Sequence, residues 1–416
     1  MTAILDLNDA AFTLTANSAS HRAPAYAYFD GQGYRFGNDA ASAVRRAPRD
    51  VNTRFWSQLS TQPLHPPLGS ARHSADLAHA HLSALYQQAN KPSTLLLVVP
   101  GTLTTEQISL ALGILQTLPI QVQGIVHRSA VLGAALGAID AVHVEAQLHQ
   151  SALTPLTAQG HTVQAGGTQV LPGWGLLKVY ERIAGLVSKA FIEQTRFDPQ
   201  RSADSEQSLH AQLPDLLETL SLQAETLLTL NGYQARIDQQ TLQEVGQAFS
   251  AQLAASLPAS DCVVILDPLL GALPGLDIPN PLRIHDSQTI VETLQDMGSQ
   301  IHQAPDGLTF QSALPPTPQS TMAVQDIPEG EHPPAEQPEM APSHLVVGHQ
   351  LFTLTQDYKG QGFSLRKQPE GVQLDMPTSL PLTINGLPAQ SGQYLKAGDM
   401  LVLEPAFRGL CVRESV

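Results

Sequence analysis

Residues 141–149 read AVHVEAQLH, and their alternation is unusually regular. Val142, Val144, Ala146 and Leu148 point one way along a strand, while His143, Glu145, Gln147 and His149 point the other. Two imidazoles, a carboxylate and a carboxamide on one face could bind a polar ligand or relay a proton near neutral pH. The plainer expectation is an edge strand showing that face to solvent. Other polar groups ask for less chemistry. Arg22, Arg45, Arg46, Arg49 and Arg54 give the N-terminal region a local positive bias, read as a solvated face rather than a phosphate site. A helix over 71–88 carries His73, His79 and His81; only 73 and 81 approach one face, Asp76 is the one carboxylate at hand, and no metal site is expected.

The elements that must position these groups begin with residues 93–137. Leu95 to Val99 is a bare apolar run suited to a buried central strand, stopped by Pro100-Gly101. Thr104 is an N-cap for a helix with Glu106 in its first turn, ending near Leu118-Pro119. A strand over 122–126 and a small-residue helix over 129–136 complete a βαβα unit with right-handed crossovers. Before it, strands 3–7 and 11–15 turn at Asn8-Asp9, and 25–29 and 34–36 form a second hairpin. Gly37-Asn38-Asp39 opens a helix over about 40–46, and 65–67 is loop. After it, a strand over 138–148 pairs with 151–156, followed by a glycine-bearing loop from 160 to 173. Helices over 175–194, 215–229 and 239–257, a buried strand over 262–266 and a last helix over 287–297 follow.

Composition sets limits. With 22 basic against 37 acidic residues, a formal charge of −15 argues against nucleic acid or an anionic membrane as main partner. The first residues lack the basic flank and apolar core of a signal peptide, and no run approaches the length of a membrane span. A cytoplasmic protein without membrane insertion is expected. Cys262 and Cys411 are read as free core thiols. Residues 313–343 form a Pro-rich acidic stretch with too little apolar material to offset ordering, so a disordered linker is predicted. Residues 344–416 alternate as six or seven short strands of a compact β module, with Asn385-Gly386 as a hairpin turn and Gly398-Asp399 before the strand from Met400.

In order and spacing, residues 1–312 resemble the actin-like ATPases, and within them the DnaK-type heat-shock chaperones. Gly37-Asn38-Asp39-Ala40-Ala41 resembles a "G-x-x-A" element, and Pro48 with Asn52-Thr53 the turn that follows it. Val98-Val99-Pro100 and Thr104 to Gln107 look like the family's "V-P-A" strand and helix. Gly166-Gly167-Thr168 and Gly173 are similar to the segment before its long helix. Val263 to Pro274, with Asp267, Gly271 and Pro274, resembles the adenosine motif. The C-terminal module is similar to a forkhead-associated domain in Leu374-Asp375, Ile384-Asn385-Gly386, Leu395, Gly398-Asp399 and Leu401. The resemblance implies an α/β fold of two lobes, the linker, and a small all-β sandwich.

The departures fall on the phosphate-handling parts. The family's first loop, D-x-G-T/S, here reads Asp6-Leu7-Asn8-Asp9-Ala10, without the glycine that lets the backbone approach a phosphate. The second loop should fall between 140 and 154, where no glycine stands. Asp267-Pro268 replaces the glycine pair of the adenosine motif, and no lysine stands near 54–58. A pseudo-ATPase is therefore expected, a scaffold for protein partners with no cofactor. The alternative is an attenuated ATPase using ATP with Mg, with Asp6 and Asp9 on the metal and Glu145 or His143 as base. A sugar-kinase or exopolyphosphatase relative is a third reading, and the same loops count against it. In the β module the phosphothreonine-holding elements have no counterpart beyond Gly348-His349, so a docking sandwich is the plainer expectation.

Overall fold

The computed structural model describes residues 2–317 except 18, 258–261, 286, 302–307 and 309, and residues 344–412 except 348–349, 355–356, 361, 369–370, 378–379, 385–386, 397–399 and 404–406. The chain divides into two compact units, Met1–Asp326 and Ile327–Val416.

The first unit is mixed α/β and builds one sheet plan twice. Strands β1 (Ala3–Asp6), β2 (Phe12–Ala16) and β3 (Ala19–Ala23) form an antiparallel meander, and β4 (Thr94–Val99) and β5 (Gln121–His127) continue from β1 in parallel. The second sheet repeats this with β6 (Ala141–Ala146), β7 (Ser151–Gln159) and β8 (Thr162–Ala165) as meander and β9 (Val263–Leu266) and β10 (Leu282–Ile284) in parallel. Both read third-second-first-fourth-fifth across the sheet. The chain between these strands forms helices α1 (Gly37–Ala41), α2 (Ser74–Gln88), α3 (Thr105–Leu115), α4 (Arg128–Leu136), α5 (Leu176–Thr195), α6 (Ala203–Leu222), α7 (Gln239–Ala254), α8 (Pro268–Gly271) and α9 (Ser287–Met297).

Strand alternation assigns the faces. Leu5 and Leu97 enter one core with Phe12, Trp56 and Leu77; Val142 and Val144 enter another with Val179, Leu213 and Phe249 from α5 to α7. The opposite faces meet in a third core: Ile4, Val98 and Val126 from the first sheet, Ala141, Leu156 and Ile265 from the second, and Val131 of α4 with Ile290 and Leu294 of α9 between them. Asp6, two residues past Ile4, and His143 and Glu145, two and four past Ala141, share the parity of that middle layer.

Several expectations need correction. The strand bearing His143 is no edge: β6 lies between β7 and β9. Alternation usually marks a half-solvated strand, but here the polar face is covered by the other half of the unit. Helix α1 begins at Gly37 and ends at Ala41. Pro63–Leu68 is a strand pairing with Ala71–His73, its alternation obscured by three prolines. The glycine-bearing stretch 160–173 holds β8 and the strand Gln169–Leu171. Helix α6 begins at Ala203 and continues through Pro214, a residue that reads as a helix start, and Glu225–Leu230 pairs in a hairpin with Tyr233–Asp238. Ala313–Leu314, at the start of the predicted linker, pairs with β8, and Thr317 is buried. Residues 318–343 lie outside the described residues.

Among its described residues the second unit is all-β. A six-stranded and a four-stranded sheet contribute to one core, the first through Leu345, Ile384 and Leu401, the second through Leu365, Val372 and Leu395. Asn385, Gly386, Gly398, Asp399, Gly348 and His349 lie outside the described residues.

Candidate functional site

The middle layer of the first unit ends in a buried ionic cluster centred on Arg128, the first residue of α4. His127 caps this helix, its Nδ1 accepting from the Ser129 amide at 3.1 Å. A cation at a helix N-terminus is disfavoured by the helix dipole, so Arg128 needs anions, and three strand ends supply them. Its Nη2 donates to Asp267 Oδ1 at 3.0 Å and its Nη1 to Asp267 Oδ2 at 3.2 Å, just past β9. Its Nε donates to Asp6 Oδ2 at 3.2 Å, at the end of β1. Glu145 Oε2 on β6 lies 3.5 Å from Nη1. All four side chains are at most 5% exposed.

The surrounding groups complete the cluster. Asn8 Nδ2 donates to Asp267 Oδ2 at 3.3 Å and the Ala146 amide donates to the same oxygen at 3.0 Å. Ser287, opening α9, donates to Asp6 at 3.4 Å. His143 meets Ser129 Oγ through Nδ1 at 2.8 Å and faces Asp267 Oδ1 with Nε2 at 3.5 Å. Gln147 donates to Glu145 Oε1 at 2.8 Å and to Thr102 at 2.7 Å.

One guanidinium against three carboxyls cannot hold all three ionised in a dry layer. Burial pushes Asp267 up, but Arg128 and then His143 outweigh it and hold that carboxyl at about 2. Burial wins at Glu145, raising it to about 8 against the pull of Arg128. Asp6 is also raised, by burial first, since it receives one Arg128 donor where Asp267 receives two. Burial lowers His143 despite Asp267, so its imidazole is neutral. Arg128 is held charged: burial disfavours the cation, and Asp267, Asp6 and Glu145 overcome that.

Asp6, Asn8, Asp267, His143 and Glu145 are thus brought together, with Gln147 at the margin. Asp9 is separate: its carboxylate accepts from the Leu148 amide at 2.8 Å, tying the β1–β2 turn to the second sheet, and burial raises it to about 6. His149 binds Thr53, its Nε2 2.9 Å from Oγ1, and burial with Arg54 lowers it to about 4. The Gly166 amide donates to Pro155 O, and neither Gly166 nor Gly167 bonds the cluster among the described residues. The Gly271 amide closes α8 onto Asp267 O, and the Pro274 carbonyl packs on Gly246. Arg128, Ser129 and Ser287 join the cluster with no motif in the sequence to mark them. The available signal was a lone arginine where an apolar strand runs into a small-residue helix.

The void beside the cluster, lined by Asn8, Ala10, Arg128, Ala146, Asp267 and Ser287 among others, measures about 10 Å³, room for one water. No known family profile and no curated protein matches the chain. Among the described residues no group of three His, Cys, Asp or Glu is set to hold a metal, and no helix is long and apolar enough to cross a membrane.

Proposed function

We propose that the first unit is a non-catalytic relative of the actin-like ATPases, nearest the DnaK-type chaperones, serving as a scaffold for protein partners. The C-terminal β module, similar in part to forkhead-associated domains, supplies a second docking surface on the same chain, so that two weak contacts combine through effective concentration. The observation that carries this reading is the Arg128 clasp: a fixed side-chain cation already neutralises the carboxylates at the strand ends, where the family resemblance calls for a metal and phosphates. The repeated sheet order supports the two-lobed reading, and the lost loop glycines agree with both.

Thermal unfolding of the full chain with and without millimolar Mg-ATP tests this. No shift is expected. A rise of several degrees would require nucleotide binding to the native state and would overturn the reading.

A further inference from the structure

A second cavity of the first unit, of about 460 Å³, has the make-up of a small-molecule site. Its walls are mainly apolar, from Ala41, Val44, Leu176, Leu177, Pro214 and Leu269. Several of its polar groups are donors with no partner among the described residues. Tyr26 and Tyr180 are 8% and 9% exposed and line the cavity, yet neither hydroxyl hydrogen-bonds another described residue. Arg45 spends Nη1 on Glu206 at 3.3 Å and Nη2 on His210 at 3.4 Å, while its Nε is buried without a partner. Arg22 also lines the cavity and makes no side-chain hydrogen bond or ion pair among the described residues. Gln207 offers no spare acceptor: its Oε1 takes the Arg45 amide at 2.9 Å and its Nε2 donates to Ala41 O at 3.0 Å.

A buried donor left unmade is costly, and the Arg45 Nε, with the exposed Arg22 guanidinium and two phenols on the same cavity, favours an anion. The neighbouring carboxylates limit its charge. Glu206 already sits on Arg45, Asp215 is felt at Tyr180 and Glu181 at His210. A polyanion would be repelled by these carboxylates more strongly than a single carboxylate or sulfonate. We propose that this cavity binds a small amphipathic monoanion, its acidic group on Arg22 and Arg45, its apolar body between α1, α5 and α6, with the two phenols donating to its oxygens. This inference goes beyond the scaffold reading and does not depend on it.

Calorimetric titration of the full chain with 2-naphthoate and with its neutral amide, 2-naphthamide, tests it. The acid should bind saturably at one site and the amide about tenfold more weakly. Arg22→Gln, a change at an exposed side chain, should weaken the acid about tenfold and leave the amide unchanged. Ala41→Trp, which fills the cavity, should abolish both, with circular dichroism verifying the fold. Equal binding of acid and amide, insensitivity to Arg22→Gln, or no saturable binding by millimolar acid would overturn the proposal.

Discussion

Arg128 grips both carboxylate oxygens of Asp267, a residue 139 positions away, through two N–H donors at 3.0 and 3.2 Å. The third arm of the same guanidinium reaches Asp6 in the other sheet at 3.2 Å. One side chain on the helix between the sheets therefore ties the strand ends of both together. Its contribution to specificity comes from geometry: the planar fork matches the carboxylate, and a lysine could not serve both sheets this way.

Removing the cation alone should be costly, because it strands buried carboxyls. Arg128→Met should lower stability by about 3–5 kcal/mol in urea unfolding. Asp267→Asn should be similarly damaging, and the double variant should cost well under the sum of the two. Additive losses would show that the two residues do not act as a pair.

Glu145 gives the clasp a pH signature. Its carboxyl rises from 4.5 to about 8 on folding, so between those values the folded state holds a proton that the unfolded chain has released. Stability from this group therefore falls as pH rises through that window. Measured against Glu145→Gln, which keeps an acceptor for Gln147, the wild type should lose ground steadily between pH 5 and pH 8. A gap that does not change with pH would mean that Glu145 is already ionised in the fold.

His81 should act in the opposite sense. It is buried among Phe12, Phe36 and Phe55 and its Nδ1 accepts from Trp56 Nε1 at 3.0 Å. Burial lowers it from 6.5 to about 3. The neutral ring is fully favourable above pH 6.5, and that stability is lost as pH falls towards 3, where the unfolded chain binds a proton that the folded one refuses. His81→Gln should cost about 1–3 kcal/mol at pH 7, and the difference should shrink on acidification. Unfolding at pH 7 and pH 5, followed by tryptophan fluorescence, gives both values.

Local signals in the sequence were enough for some of the local elements. The run Leu95 to Val99 is the buried strand its branching implies, and Thr104 caps α3 with the reciprocal Gln107 contact of a capping box. The site was half legible. His143 and Glu145 could be named because their types and alternation suggest chemistry, and Asp6, Asn8 and Asp267 because they stand where the resemblance implies nucleotide-handling loops. That they face one another depends on two sheets folding over a shared layer, which no window of sequence contains. Arg128 was missed for the same reason: its segment looks like packing, and its partners lie 122 and 139 residues away. Gly166 and Gly167 were named from the resemblance, as part of the segment before the family's long helix; in the fold the Gly166 amide bonds Pro155.

Two helical glycines provide a final check on the packing of the second sheet's helices. Gly246 of α7 lies against the loop after α8, where an added Cβ would come within 2.2 Å of the Pro274 carbonyl oxygen and 2.6 Å of the Leu276 nitrogen. Both are backbone atoms and cannot swing aside. Gly185 of α5 has open space at the same position. Gly246→Ala should therefore cost about 1–3 kcal/mol by forcing helix and loop apart. Gly185→Ala should stabilise by about 0.5–1 kcal/mol, since alanine restricts the unfolded chain and favours the helix. Urea midpoints of the two variants should move in opposite directions from wild type. Movement in the same direction would show that α7 does not rest on that loop.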